Sequence, residues 1–273
     1  MRRFSSVLTN FITYAYVSKT GVSVRLRNSW RHAEFLFSKT HWAKRRVSSP
    51  LPFKILEHRL PIRRKLAGVD PLLFENKRTN LRLALDRLNG ILIAPGETFS
   101  FWRLIGAPSA AKGYLEGLAL ARGEPTRSVG GGLCQLANLL FWLGLHSDLE
   151  VTERHHHSVD LFPDDARQVP FGTGATVVYH FKDLRLKNPT DSTFQFVFVL
   201  TESEISGSLL CSNAPKHVYK IVERDHLFSQ RPDGLCRQNT IKRQMWSSAG
   251  EQLSETILFQ NDSKCRYSME DLR

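Results

Sequence analysis

Apolar positions along the chain fall into runs and alternations that predict most of its elements. Between Asn80 and Asn89, Leu81, Leu83-Ala84-Leu85 and Leu88 recur at helical spacing, and Asn89-Gly90 supplies the stop. Ile91-Leu92-Ile93 predicts a short buried strand, Pro95-Gly96 a turn, and Thr98 to Trp102 an apolar-aromatic stretch. Gly106, Gly113, Gly117 and Gly123 then punctuate a segment of short strands and turns. Leu136 to Leu145 is the main helical run, directly after Gly130-Gly131-Gly132-Leu133-Cys134-Gln135. Glu150-Val151-Thr152 opens a strand. Ala175 to Tyr179 and Asp183 to Lys187 predict two more, Phe194 to Leu200 is the clearest, and Val218 to Val222 and Glu255 to Phe259 complete the series. Nearer the start, the pattern predicts a helix around Asn28 to Phe37, and Pro50, Pro52 and Pro61 divide the next stretch into short pieces. No internal repeat is visible. The sum is an α+β fold: one central helix packed on a mainly antiparallel sheet, with a helical basic N-terminal extension over residues 1–79 and a main domain over 80–273.

Charge sharpens that division. The 273 residues carry a net +12, but Met1 to Asn80 holds 17 Lys/Arg against 4 Asp/Glu, while the rest of the chain holds 21 against 22. An anionic membrane surface or an anionic wall polymer is a partner such a segment fits, and a solvated basic surface kept for solubility explains it at least as well. Arginines interleaved with Trp30, Phe35, Phe37 and Trp42 could also stack on bases, but no nucleic-acid motif accompanies them, so nucleic acid is disfavoured. Packing of these aromatics on the main domain is the favoured reading. No apolar run has transmembrane length. Met1-Arg2-Arg3 followed by Phe4 to Val17 is too interrupted by Ser and Thr to read as a signal peptide. Four cysteines, Cys134, Cys211, Cys236 and Cys265, fit neither a zinc ribbon nor a disulfide scaffold and suggest a reducing compartment. The expected location is cytoplasmic, or peripheral at the cytoplasmic face of the membrane.

Candidate chemistry centres on Gly130 to Asp160. Three glycines allow a sharp turn and close approach. Cys134 follows in the first turn of a buried helix, where free N–H groups and the helix dipole favour a thiolate. Downstream, His155 and His157 stand two apart and share one strand face. This combination fits a cysteine nucleophile. Cys134 would attack, His157 or, second, His155 would act as base, and Asp183 or Asp160 would orient the imidazole. Gln135 with backbone N–H groups at Gly131 and Gly132 would face an oxyanion. Arg154 could hold a carboxylate, although an internal ion pair is the commoner use, and Trp102 with Phe99 could line a pocket. Acyl transfer or amide cleavage is the implied reaction; a buried structural thiol is the bland alternative. His155, His157 and Cys134 could also ligate zinc, but the cysteine is better explained as a nucleophile, so neither metal nor cofactor is expected.

Several of these stretches together resemble the VanW family, named for an accessory protein of B-type vancomycin-resistance clusters. They are Pro95-Gly96-Glu97-Thr98-Phe99-Ser100-Phe101-Trp102, Gly130 to Gln135 with its helix, Glu153-Arg154-His155-His156-His157-Ser158, Ala175-Thr176-Val177, and Asp183-Leu184 with Lys187-Asn188. The likeness spans about Asn80 to Leu200. Many members read Glu-Arg-His-x-His-Ser, which makes His157 the second motif histidine. The resemblance implies a role accessory to glycopeptide resistance or envelope metabolism and brings no established reaction. A peptidoglycan precursor or muropeptide is the implied ligand, whether the domain is an enzyme or a non-catalytic binding module.

Overall fold

The computed structural model describes residues 21–63, 70–121, 124–156, 159–160 and 168–272. The chain forms two compact units that divide between Thr40 and His41. The described part of the first is α1 (Gly21–Phe37), which contains the helix expected around Asn28 to Phe37. The second begins 39 residues earlier than the expected boundary at Asn80. Trp42 bridges Thr98, Arg46 bridges Ile91, and β1 (Phe53–Pro61) pairs antiparallel with β10 (Glu204–Cys211). The prolines that pointed to broken elements instead frame this strand. Pro52 precedes it, and Pro61 closes it at a sheet edge, where a missing N–H interrupts no interior ladder.

The main sheet runs β1-β10-β9-β2, with β9 (Phe194–Leu200) and β2 (Ile91–Ile93) as predicted and every neighbour antiparallel. α4 (Cys134–Leu145) lies on it and buries Leu136, Ala137, Leu139, Leu140, Phe141 and Leu143 almost completely. Removing one such leucine side chain from water is worth roughly 1.5–3 kcal/mol, so this run alone ties helix to sheet. Close approach depends on Gly207 of β10. A Cβ there would stand 3.0–3.1 Å from carbons of Leu139, Leu143 and Phe198.

The core does not rest on one helix. α2 (Leu72–Leu88) is longer than α4 and also packs inward. It begins eight residues before the predicted start, where Asp70 Oδ1 accepts from the Leu72 amide and Pro71 sets the first turn. Its buried stripe contains Lys77 and Asn80, polar residues that a hydropathy pattern scores as exposed. Lys77 Nζ donates to the Ile62 carbonyl at 2.6 Å, and Asn80 Nδ2 donates to the carbonyls of Leu115 and Gly131.

Three further β units complete the second body. β3 (Thr98–Ser100), β8 (Arg185–Lys187) and β6 (Glu150–Glu153) form an antiparallel sheet in the order β3-β8-β6. β4 (Glu116–Ala121) and β5 (Glu124–Val129) make a hairpin. β11 (His217–Arg231), β12 (Gly234–Ser247) and β13 (Gln252–Cys265) form a long meander, and β7 (Val159–Asp160) adds in parallel to β13. The strand predicted over Ala175 to Tyr179 does not form. Its amides go elsewhere: Ala175 N to Asn138 Oδ1, Thr176 N to the His155 carbonyl, and Val178 N to the Lys182 carbonyl. The segment is a loop fastened to α4. Among the described residues no helix is long and apolar enough to cross a membrane.

Candidate functional site

The three glycines carry the chain from β5 into α4. Gly130 and Gly132 have φ of +80° and +95°, a region that L side chains rarely adopt. Gly131 lies against backbone: a Cβ there would stand 2.2 Å from the Gly117 carbonyl, and one on Gly117 would stand 2.5 Å from Gly131 O. Gly131 N donates to Ser128 O, its carbonyl accepts from Asn80 Nδ2, and a Cβ on Gly132 would run into the Lys77 stem. The close approach anticipated from the sequence is therefore between chain segments of the protein itself. Gln135 Nε2 donates to the Pro61 carbonyl at 2.7 Å, and its buried Oε1 has no partner among the described residues.

Cys134 sits where expected, on the first turn of α4. Its Sγ–H donates to the Val177 carbonyl at 3.6 Å, and its side chain packs against the core. Burial pushes the thiol pKa up; the charge of Lys182 opposes this without cancelling it. One turn along, Asn138 holds the Ala175 amide. Cys134 and Asn138 thus fasten the 174–177 loop to one face of the helix. Among the described residues no hydrogen bond joins Cys134 to an imidazole. His157, the expected base, lies outside the described residues.

His155 belongs to a different arrangement. Its Nε2 pairs with Glu153 Oε1 at 3.1 Å, and the same oxygen accepts from the Asp183 amide at 3.0 Å. Arg185 Nε lies 3.2 Å from both Glu153 Oε2 and Asp183 Oδ2. Asp183 is almost wholly buried and accepts from Ser100 Oγ at 2.5 Å, from Trp102 N at 3.1 Å and from Leu184 N at 2.9 Å. Burial raises its pKa, against the lowering effect of the Ser100 hydroxyl. These bonds begin α3 (Phe101–Ile105), whose N-cap is Ser100. Arg185 also lies over the Trp42 ring at 5.0 Å, with Arg103 at 5.3 Å from the same ring. The knot of Glu153, His155, Asp183 and Arg185 joins β6 to β8. Glu153 and Arg185 are not among the site residues expected from the sequence, although spacings of two residues already place Glu153 with His155 and Asp183 with Arg185.

Arg154 forms no ion pair among the described residues. It donates to the carbonyls of Gly172 and Gly174 and lies between the rings of Phe141 at 4.8 Å and Phe259 at 4.2 Å. Burial pushes its guanidinium pKa down to about 10. Trp102 is buried, with its Nε1 on the Lys182 carbonyl and its ring edge-on to Phe101 and Tyr179. Asp160, the alternative orienting acid, accepts from Tyr267 Oη at 2.8 Å and from Arg237 Nη1 at 3.2 Å. His156 is exposed. Most of the expected site residues that the structure describes therefore secure the packing of the domain, and no one open cleft gathers them among the described residues.

Comparison with known proteins gives a consistent kinship. A family model described as "VanW like protein" matches residues 76–210. The chain is 35% identical over 220 residues to the "Vancomycin B-type resistance protein VanW" of Enterococcus faecalis, covering 80% of each chain. It is also 30% identical over 117 residues to the "Uncharacterized protein YoaR" of Bacillus subtilis, covering 42% of this chain and 36% of the relative. No solved structure matches. With four-fifths of its length aligned to the enterococcal relative, this chain belongs to the VanW-like family.

Proposed function

We propose that this protein is an accessory factor in glycopeptide resistance that works by binding a cell-wall precursor peptide, not by cysteine catalysis. Kinship to a protein named for vancomycin resistance supports the biological setting. The setting of Cys134 carries the mechanistic choice: its sulfur is packed against the core, engaged with the Val177 carbonyl and held as a thiol by burial. Cys134 is only part-buried, but a nucleophilic cysteine needs its pKa lowered by a base or cation, and here the pKa is raised. The helix tip and Lys182 both favour a thiolate, and desolvation outweighs Lys182.

The test is a comparison of native protein with Cys134→Ser and Cys134→Ala in a host whose glycopeptide resistance depends on this chain. Both variants are expected to retain resistance once matched for folded protein. A thiol-reactive wall-peptide probe is expected to label native protein no more than Cys134→Ala. Loss of resistance in a well-folded Cys134→Ser variant, together with covalent capture on Cys134, would replace this reading with the enzymatic one.

A further inference from the structure

Away from the glycine turn and the Glu153 knot, a cavity of about 280 Å³ opens between α2, α3 and the 3-10 turn Ala110–Lys112. It is lined by Leu83, Asp86 and Arg87 of α2, Ile105 of α3, Lys112 and Tyr114. The tyrosine is the informative residue. Its ring belongs to the hydrophobic core, and the residue is only 4% exposed. Its hydroxyl makes no hydrogen bond to a described residue and is not among the fully buried unpartnered atoms, so it is open to the cavity that Tyr114 borders. Arg87 and Asp86 line the same cavity as the tyrosine. A phenol whose ring is buried and whose hydroxyl opens to a cavity offers that cavity a fixed hydrogen-bonding group.

The charged rim is equally uncommitted. Neither Arg87 nor Asp86 takes part in an ion pair among the described residues, and Lys112 Nζ has one bond, to the Ala107 carbonyl at 2.9 Å. Two cations and one acid surround a phenol, above a floor of Leu83 and Ile105. A guanidinium and an ammonium suit a carboxylate, the lone acid suits an ammonium, and the floor suits a small apolar side chain. The volume falls just below the roughly 300–1,000 Å³ of drug-sized sites, which restricts the occupant to about one or two amino-acid residues.

We infer that this cavity binds the carboxylate end of a small amino-acid ligand, with Arg87 and Lys112 on the carboxylate, Tyr114 on a neighbouring polar atom and Asp86 on the amine. The carboxylate could belong to a free amino acid or to the terminus of a short peptide. This inference rests on the binding reading above and adds its location and ligand class.

Calorimetric titration of the full chain distinguishes the possibilities. The probes are alanine, alanyl-alanine, N-acetyl-alanyl-alanine and the C-terminal amide of alanyl-alanine, each in both enantiomeric series. Saturable binding of at least one free-carboxylate probe is expected, at least tenfold weaker for the matching amide. Free alanine binding as well as the dipeptides would identify an amino-acid site; dipeptide preference, a peptide terminus. Tyr114→Phe removes only the uncommitted hydroxyl, so its melting temperature should match that of native protein while affinity falls several-fold. Arg87→Gln should lose at least tenfold. Failure of every probe to bind folded native protein, or binding that both variants leave unchanged, overturns the site. If a longer wall-precursor peptide is still retained by Tyr114→Phe and Arg87→Gln, the binding function stands and only its placement fails.

Discussion

At the scale of single residues, much of the chemistry that suggested catalysis is employed in holding the fold. Arg185 lies between two carboxylates and is itself nearly buried, so its removal would leave Glu153 and Asp183 facing each other with little solvent. Breaking a buried pair by deleting one partner costs about 3–5 kcal/mol. Arg185→Leu is expected to lose stability on that scale in urea denaturation, whereas an exposed change such as Arg59→Leu should be nearly silent. A second residue-level prediction concerns pH. His58 and His146 flank Trp142, at centroid distances of 5.8 and 4.5 Å, and burial lowers the pKa of both below the ordinary 6.5. Each also feels charge: His58 that of His146, and His146 that of Arg243. An unfolded chain therefore takes up these protons first, and stability must fall as pH drops below about 6.5 toward the folded-state values. Asp183 has the opposite sign: its raised pKa favours the folded state in acid and disfavours it as pH rises through the folded value. The melting temperature should drop between pH 7 and 5.5, and His146→Gln should flatten that slope. An unchanged slope would remove the histidines as its cause. The sequence made the two-residue spacing of His155 legible, but not which neighbour its ring would choose. Glu153 lies two residues before it and His157 two after, so periodicity alone places all three on one face.

At the scale of elements, legibility followed the match between local pattern and final environment. α4 and β2 are apolar and mostly buried, β9 buries Phe194, Phe196 and Phe198, and all three are bounded by turn residues, so their signals survived intact. α2 was half-visible because Lys77 and Asn80 face inward and satisfy themselves on carbonyls contributed by other segments. Thr176 and Val177 carry β-forming side chains, yet the amides of Ala175 and Thr176 are claimed by Asn138 and His155, a tertiary choice with no local signature. The glycine turn was visible as a close approach, but the partner, Gly117, could not be named from spacing. This gives an element-level prediction. Gly131 and Gly117 meet backbone to backbone, so neither can yield by rotating a side chain. Gly131→Ala is expected to cost about 3 kcal/mol or more by overpacking. Gly207→Ala, whose neighbours are side-chain carbons at 3.0–3.1 Å, should cost less because leucines can repack. Guanidinium denaturation of the two variants side by side checks the order. A milder effect at Gly131 would show that the β5–α4 junction is looser than its contacts imply.

For the whole molecule, the fold redistributes the charge that the sequence concentrates in its first 80 residues. Of the 17 basic residues counted there, only 7 precede His41, against the single acid Glu34; the other 10 belong to the second unit. Some of those ten are already committed, such as Arg46 to the Asp86 carbonyl and Lys77 to the Ile62 carbonyl. The basic stretch outside the second unit is therefore shorter than composition suggested, and its described element is α1, which contains Arg25, Arg27 and Arg31, the last paired with Glu34 at 3.0 Å. If an anionic membrane is its partner, each cation near the surface contributes about 1 kcal/mol, enough in sum for salt-sensitive attachment and too little for stable anchoring alone. Full-length protein is expected to sediment with vesicles containing anionic lipid at low salt, to release near 0.5 M salt where the Debye length shrinks to about 4 Å, and to ignore neutral vesicles throughout. Replacing Arg25, Arg27 and Arg31 together by glutamate changes the charge of this unit from +6 to 0. That triple variant should lose sedimentation at every salt concentration, and a double Arg25→Glu, Arg27→Glu variant, which leaves the Arg31–Glu34 pair intact, should weaken sedimentation while keeping the native melting temperature. Equal sedimentation of the triple variant would assign attachment to the second unit's exposed cations, and binding to neutral vesicles would rule out electrostatics as the driving force.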